Sequence, residues 1–149
     1  MGIPIKVEFF AGGVRPIVAF CLRSKQLNLF GFINAIVDTG SPTTILGMAD
    51  VKKMRISQIQ LAKLIGSKRE INLGGAQMKT QILSDANITI GNLLNVTLPI
   101  QVPIELMEGV PPPSILGVDF LEKAKLKFTF DPANKESYFE LNDDYANKN

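Results

Sequence analysis

The sequence contains no histidine. That single absence excludes Ser-His-Asp and Cys-His hydrolysis, His-ligated zinc and every His general-base scheme, because all of them need an imidazole. Carboxylates are then the leading groups for acid–base work if the chain is a hydrolase. Cysteine is almost absent as well. Cys21 stands alone, so no internal disulfide forms, which fits a reducing cytoplasm. With no base available to it, the thiol reads as a small core residue in a strand. No apolar run approaches the ~20 residues of a membrane span. The first six residues lack the long apolar region of a signal peptide. Charge is sparse and nearly balanced, at 20% of residues and net +2. Lys and Arg are scattered, without the aromatic-interleaved basic stripe that nucleic acid requires. The expectation is a cytoplasmic protein that binds neither membrane nor nucleic acid.

What is present is a large apolar fraction, 46% of 149 residues, enough for one domain spanning 1–149 with a substantial core. One stretch stands out: Ala35-Ile36-Val37-Asp38-Thr39-Gly40-Ser41. The apolar run reads as a buried strand ending at an acid. A carboxylate there is costly unless it is hydrogen-bonded or held half-protonated. Thr39 and Ser41 supply hydroxyls, and Gly40 lets a backbone N–H approach closely.

Around it the pattern is mostly β. Residues 5–10 are extended, with Gly12-Gly13 as a turn. Strands follow over 15–22, with Pro16 at the start, and over 27–37, joined by a turn at 24–26. Short helices are expected over 47–54 and 57–65, the second with Ser57 as its N-cap and Gly66 as its stop. Residues 70–83 read as a hairpin turning at Gly74-Gly75, a pair that takes positive φ freely. Strands over 86–91 and 95–102 turn at Gly91-Asn92. Asn87-Ile88-Thr89 and Asn95-Val96-Thr97 match a glycosylation acceptor pattern, which we read as accidental. Three prolines stiffen residues 105–113. Ser114 to Leu116 form a buried strand that breaks at Gly117, and a short helix begins near Asp119, whose carboxylate suits the free N–H groups there. Strands close the chain over 126–130 and 138–141, and residues 142–149 read as a frayed polar tail.

The order Val37-Asp38-Thr39-Gly40-Ser41, then Leu73-Gly74-Gly75-Ala76, then Ile115-Leu116-Gly117-Val118-Asp119 resembles the retropepsin-like aspartic proteases over about residues 14–141. The resemblance implies a mostly β fold, a closed acid-protease barrel with one or two short helices. It implies Asp38, Thr39 and Gly40 as catalytic residues, with Thr39 tying two catalytic loops together across a dimer. Ile115, Leu116 and Gly117 would support the loop from behind. Thr44 falls where the family often has a hydroxyl. Ser41 and the flap residues Leu73, Gly74, Gly75 and Ala76 would bind substrate. Two departures stand out: Pro42 replaces an acidic or small polar residue, and the proposed flap carries no aromatic.

The chemistry implies a second chain. Hydrolysis by this route needs two carboxylates sharing a proton, yet Asp-Thr-Gly occurs once. The second would come from Asp38 of another protomer, making a homodimer that cuts extended or unfolded polypeptide without metal or cofactor. The alternative is a catalytically weak or inactive module of the same fold, used for dimerisation or peptide binding. The plainest reading is a β domain in which Asp38-Thr39-Gly40 is only a turn after a strand.

Overall fold

The computed structural model describes residues 2–64, 69–73, 76–104 and 110–142. Among the described residues, ten strands and three short helices follow one another: β1 (Ile3–Pro4), β2 (Lys6–Phe10), β3 (Gly13–Ser24), β4 (Leu29–Val37), α1 (Met48–Lys53), α2 (Gln58–Ala62), β5 (Arg69–Leu73), β6 (Ala76–Ile90), β7 (Leu94–Pro103), β8 (Ser114–Leu116), α3 (Val118–Ala124), β9 (Leu126–Asp131) and β10 (Glu136–Leu141). The mostly β expectation holds, with three helices rather than one or two.

The main sheet runs β5-β6-β3-β4-β8, with β2 beside β3 and β7 beside β6. Alternation explains its two faces. Val18, Phe20 and Leu22 of β3 and Ile33, Ala35 and Val37 of β4 turn inward and are buried, while Phe30, Phe32 and Asn34 point out. Among the described residues the named strands pair antiparallel except β4 with β8, which run parallel at Ala35↔Ser114, Ile36↔Ile115 and Val37↔Leu116. One residue closes the ring. Ile45 bridges Ile115 of β8 on one side and Gln101 of β7 on the other. Its N–H donates to Ile115 O at 2.9 Å and its carbonyl accepts from Ile115 N–H at 2.8 Å. Leu46 N–H donates to Gln101 O and Gln101 N–H to Thr44 O. The path β6-β3-β4-β8-Ile45-β7-β6 is therefore continuous around the core.

A second sheet, β1-β10-β9, packs its Phe139 against Phe120 of α3 and Phe128 of β9, with ring centroids 6.0 and 5.8 Å apart. Leu116, Phe120 and Phe139 are fully buried and join this layer to the barrel core.

Several boundaries differ from expectation for identifiable reasons. The first hairpin turns at Ala11-Gly12, both at positive φ, and Gly13 is already the first residue of β3. Pro16 lies inside β3, one residue before its pairing with β4 begins at Ile17↔Ile36. The strands expected over 76–83 and 86–91 are one strand, β6, with a register shift between Leu83 and Ala86. The extra residues form a bulge, where Asp85 leaves the ladder and binds elsewhere. Helix α2 begins as expected. The Ser57 hydroxyl accepts from Gln60 N–H while the Gln60 side chain accepts from Ser57 N–H, a reciprocal cap. Its expected stop, Gly66, and most of the proline-stiffened loop lie outside the described residues, as does the tail beyond Asn142.

Candidate active site

Asp38 is the first residue after β4 and sits half-buried, with Thr39 and Gly40 exposed at the tip of the loop. The loop folds back on its own acid. Gly40 N–H donates to Asp38 Oδ1 at 2.8 Å, and Ser41 N–H donates to Asp38 O at 3.2 Å. Among the described residues, no hydrogen bond is made to Oδ2, so half of the carboxylate remains open. The Ser41 hydroxyl turns into the loop and donates to Thr43 O at 2.7 Å.

Behind the loop stand the residues expected to support it. Asp38 N–H donates to Leu116 O at 3.0 Å, extending the parallel β4–β8 pairing by one bond. Val118 N–H donates to Ser41 O and Asp119 N–H to Pro42 O, so the start of α3 is spent on the loop's carbonyls. Gly117 is required by space. A Cβ there would lie 2.4 Å from Thr43 O and 2.7 Å from Ser41 O, closer than any side chain can approach.

Thr44 is the centre of this contact. It is buried, its hydroxyl donates to Asp119 Oδ1 at 2.7 Å, and the same oxygen accepts from Gly117 N–H at 3.1 Å. Its own N–H donates to Asp119 Oδ2 at 3.0 Å. Asp119 Oδ1 also accepts from Phe120 N–H at 2.7 Å. The carboxylate thus meets a free helix N–H as expected, and in addition fastens the loop, a role its sequence position does not reveal.

Two further polar pairs carry no sequence signal. Asp50 of α1 is buried and accepts from the Ser114 hydroxyl at 2.5 Å, while that hydroxyl accepts from Gly47 N–H at 2.8 Å. They anchor α1 to the first residue of β8. At the base of the β5–β6 hairpin, the buried Thr80 hydroxyl donates to Gln101 Oε1 at 2.5 Å, beside the Ile45 closure.

The expected flap is a hairpin. β5 pairs with β6 from Arg69↔Thr80 to Leu73↔Ala76 across a two-residue connection. Gly74 and Gly75 lie outside the described residues, so the tip itself is not placed, and the same holds for the side chains of Leu73 and Ala76.

The remaining features lie elsewhere. A cleft of about 530 Å³ lined by Arg23, Lys25, Phe30 and Asp85 sits at the far end of β3 and β4 from Asp38. Asp85 is committed there. Partial burial pushes its carboxyl up, but the Ser24 hydroxyl and the N–H groups of Gln26 and Lys25 more than offset this and hold it below the usual range. The two glycosylation-like triplets pair across β6 and β7. Asn87 Nδ2 donates to Asn95 Oδ1 at 2.6 Å and to Thr97 Oγ at 3.0 Å, so a cross-strand polar cluster accounts for the repeated pattern.

No family model matches the chain, and no curated protein matches it in sequence. Solved structures do. The chain is similar to a retropepsin-like aspartic protease from Rickettsia conorii, with TM-score 0.55 and 20% identity over 91% of this chain and 88% of that one. It is also similar to EIAV protease in complex with an inhibitor, with TM-score 0.51 and 18% identity over 83% of this chain and all 100% of that one. At these identities the likeness concerns the fold, and the closed ring with a parallel β8 behind the Asp38 loop is a retropepsin-like fold.

Proposed function

We propose that the chain is an aspartic endopeptidase that hydrolyses peptide bonds in extended or unfolded polypeptides as a homodimer, with Asp38 of each protomer forming the catalytic pair. The observation that carries this reading is the Asp38 loop. It presents a half-open carboxylate at an exposed tip, and five other residues are committed to holding that tip still. A simple turn after a strand has no need of such support.

In this reading two Asp38 carboxylates meet on a two-fold axis, where both cannot ionise together, so the pair holds one proton between them. The ionised member takes a proton from water as the water oxygen attacks the peptide carbonyl carbon. The protonated member gives its proton to the carbonyl oxygen. As the gem-diol collapses, the now protonated member gives its proton to the leaving nitrogen and the other takes the proton of one gem-diol hydroxyl. The C–N bond breaks to a carboxylic acid and an amine, and the pair again holds one proton. Thr39 and Gly40 lie at the tip where two loops would meet. The β5–β6 hairpin would close over the peptide, whose backbone pairs with extended chain on both sides. A single protomer offers half of such a cleft, so no enclosed pocket at Asp38 is required of it.

The hairpin between residues 69 and 80 has no aromatic. That favours, as a second reading, a peptide-binding or dimerisation module with weak catalysis, since a poorly closing flap excludes water badly. Cleavage of an unfolded protein between pH 3 and 7, beside Asp38→Asn, tests both. Activity that peaks in acid and disappears in the variant supports the protease. A folded dimer that cleaves nothing at any pH supports the module.

A further inference from the structure

Phe9 of β2 and Val14 of β3 face each other across the first hairpin, and both are largely exposed, at 76% and 53%. Their position is set by register. Ile17 pairs with Ile36, so two residues further along Arg15 stands level with Asp38. Val14, Gly13 and the Ala11-Gly12 turn lie beyond that level, at the end of the barrel that carries the Asp38 loop. Val14 also shares a face of β3 with Val18, Phe20 and Leu22, all of them buried. The core-facing side of this strand therefore continues past the end of the core and is left uncovered there, with Phe9 beside it. On the opposite face the Arg15 guanidinium reaches back to Ala11 O at 3.4 Å and braces the turn.

We propose that this hairpin is a clasp that packs on the second protomer. The inference rests on reading Asp38 as half of a shared-proton pair. If two Asp38 residues meet on a two-fold axis, whatever one protomer extends past Asp38 enters the space of the other. At about 3.4 Å per residue, Gly13 reaches about 7 Å beyond that level, the depth of one layer of side chains. Two-fold symmetry uses the surface twice, so each Phe9 and Val14 packs on the partner in the same way. Phenylalanine is among the aromatics enriched where protein surfaces meet. A substrate peptide would cover the pair only while bound, whereas a partner protomer covers it throughout.

The test follows dimer dissociation by sedimentation over a wide concentration range for the wild type, Asp38→Asn and Phe9→Asp/Val14→Asp. Cleavage of an unfolded protein is measured in parallel. The wild type and Asp38→Asn should dimerise alike. The double variant should dissociate at least about tenfold more readily, because its dimer buries unpaired carboxylates, and its cleavage should return as protein concentration rises. Amide exchange in the wild type needs no variant. Residues 7–14 should exchange more slowly as concentration passes through the dimerisation range. Unchanged dimer affinity in the double variant, or exchange at 7–14 that ignores concentration, would overturn the clasp. So would a wild type that is monomeric throughout, or an intact variant dimer with a raised KM, which would assign the hairpin to substrate. Failure of the protease reading looks different: the wild type dimerises through the hairpin yet cleaves nothing, or Asp38→Asn still cleaves.

Discussion

Thr44 and Asp119, 75 residues apart in the chain, are joined by two hydrogen bonds, one from the threonine hydroxyl and one from its backbone N–H to the two carboxylate oxygens. The same hydroxyl oxygen accepts from Gly117 N–H, so one side chain holds the Asp38 loop, the end of β8 and the start of α3 together. Replacing Thr44 by Val keeps the volume but leaves Gly117 N–H unpaired in a buried place and removes one partner of Asp119. We expect a loss of about 1–3 kcal/mol in urea unfolding and a fall in cleavage larger than the stability change explains. Asp119→Asn, which keeps one accepting oxygen, should be milder than Asp119→Ala.

Gly117→Ala tests the close approach behind the loop. The added methyl meets the Thr43 and Ser41 carbonyls, so the loop must move, at a cost of about 1–3 kcal/mol or more, and Asp38 moves with it. Gly91→Ala is the control. Gly91 has positive φ in open space, so the substitution strains the backbone by about 1 kcal/mol without touching the loop. Thermal unfolding should register both substitutions, whereas cleavage should fall only for Gly117→Ala.

Asp85 makes part of the stability depend on pH. Its carboxyl is held below its ordinary value in the folded chain, so the stabilisation is present above the unfolded value near 3.8 and is lost as pH falls through the folded one. Asp85→Ala should therefore lower stability at pH 6 by about 1 kcal/mol, the scale of a lost capping side chain. The gap between variant and wild type should close as the pH is taken below 3.8. A gap that widens in acid would contradict this sign.

Ser114→Ala removes the partner of a buried carboxylate and the acceptor of Gly47 N–H at once. Unfolding measurements should show a loss of about 1–3 kcal/mol. The double variant Ser114→Ala/Asp50→Ala should lose less than the sum of the two single ones, because the groups share one network.

These contacts also mark how far the sequence could be read. The Asp38 loop and the Ile115-Leu116-Gly117 segment were legible as compact strings, an apolar strand running into an acid and small residues and a short apolar strand breaking at glycine. The resemblance to retropepsin-like proteases implied that the second supports the first. Ser57 was equally readable as an N-cap, since it stands just ahead of apolar residues at helical spacing, whereas the return bond from Gln60 came only with the structure. Asp50 with Ser114 and Thr80 with Gln101 were not, since each pair is brought together only by tertiary folding and neither member has a local reason to be polar. Ser84-Asp85 misled for a related reason. Two polar residues inside a strand pattern read as a break, whereas the chain bulges and lends Asp85 to a turn about 60 residues away. Gly12-Gly13 read as the turn because glycine is the usual residue at positive φ, yet Ala11 occupies one of those two positions at φ 49°.

The ring of strands closes at one residue, Ile45, whose partners are Gln101 and Ile115, and this same short piece of chain ends the Asp38 loop. Contacts so distant in sequence cannot form until the strands between them are in place, which sets them late in folding. Pulse-labelled exchange during refolding should find the Ile45 and Gln101 amides protected after those of the β3–β4 hairpin. A nascent or half-unfolded chain would then lack a rigid Asp38 loop, and any cutting activity would be withheld until the chain is no longer itself an unfolded substrate.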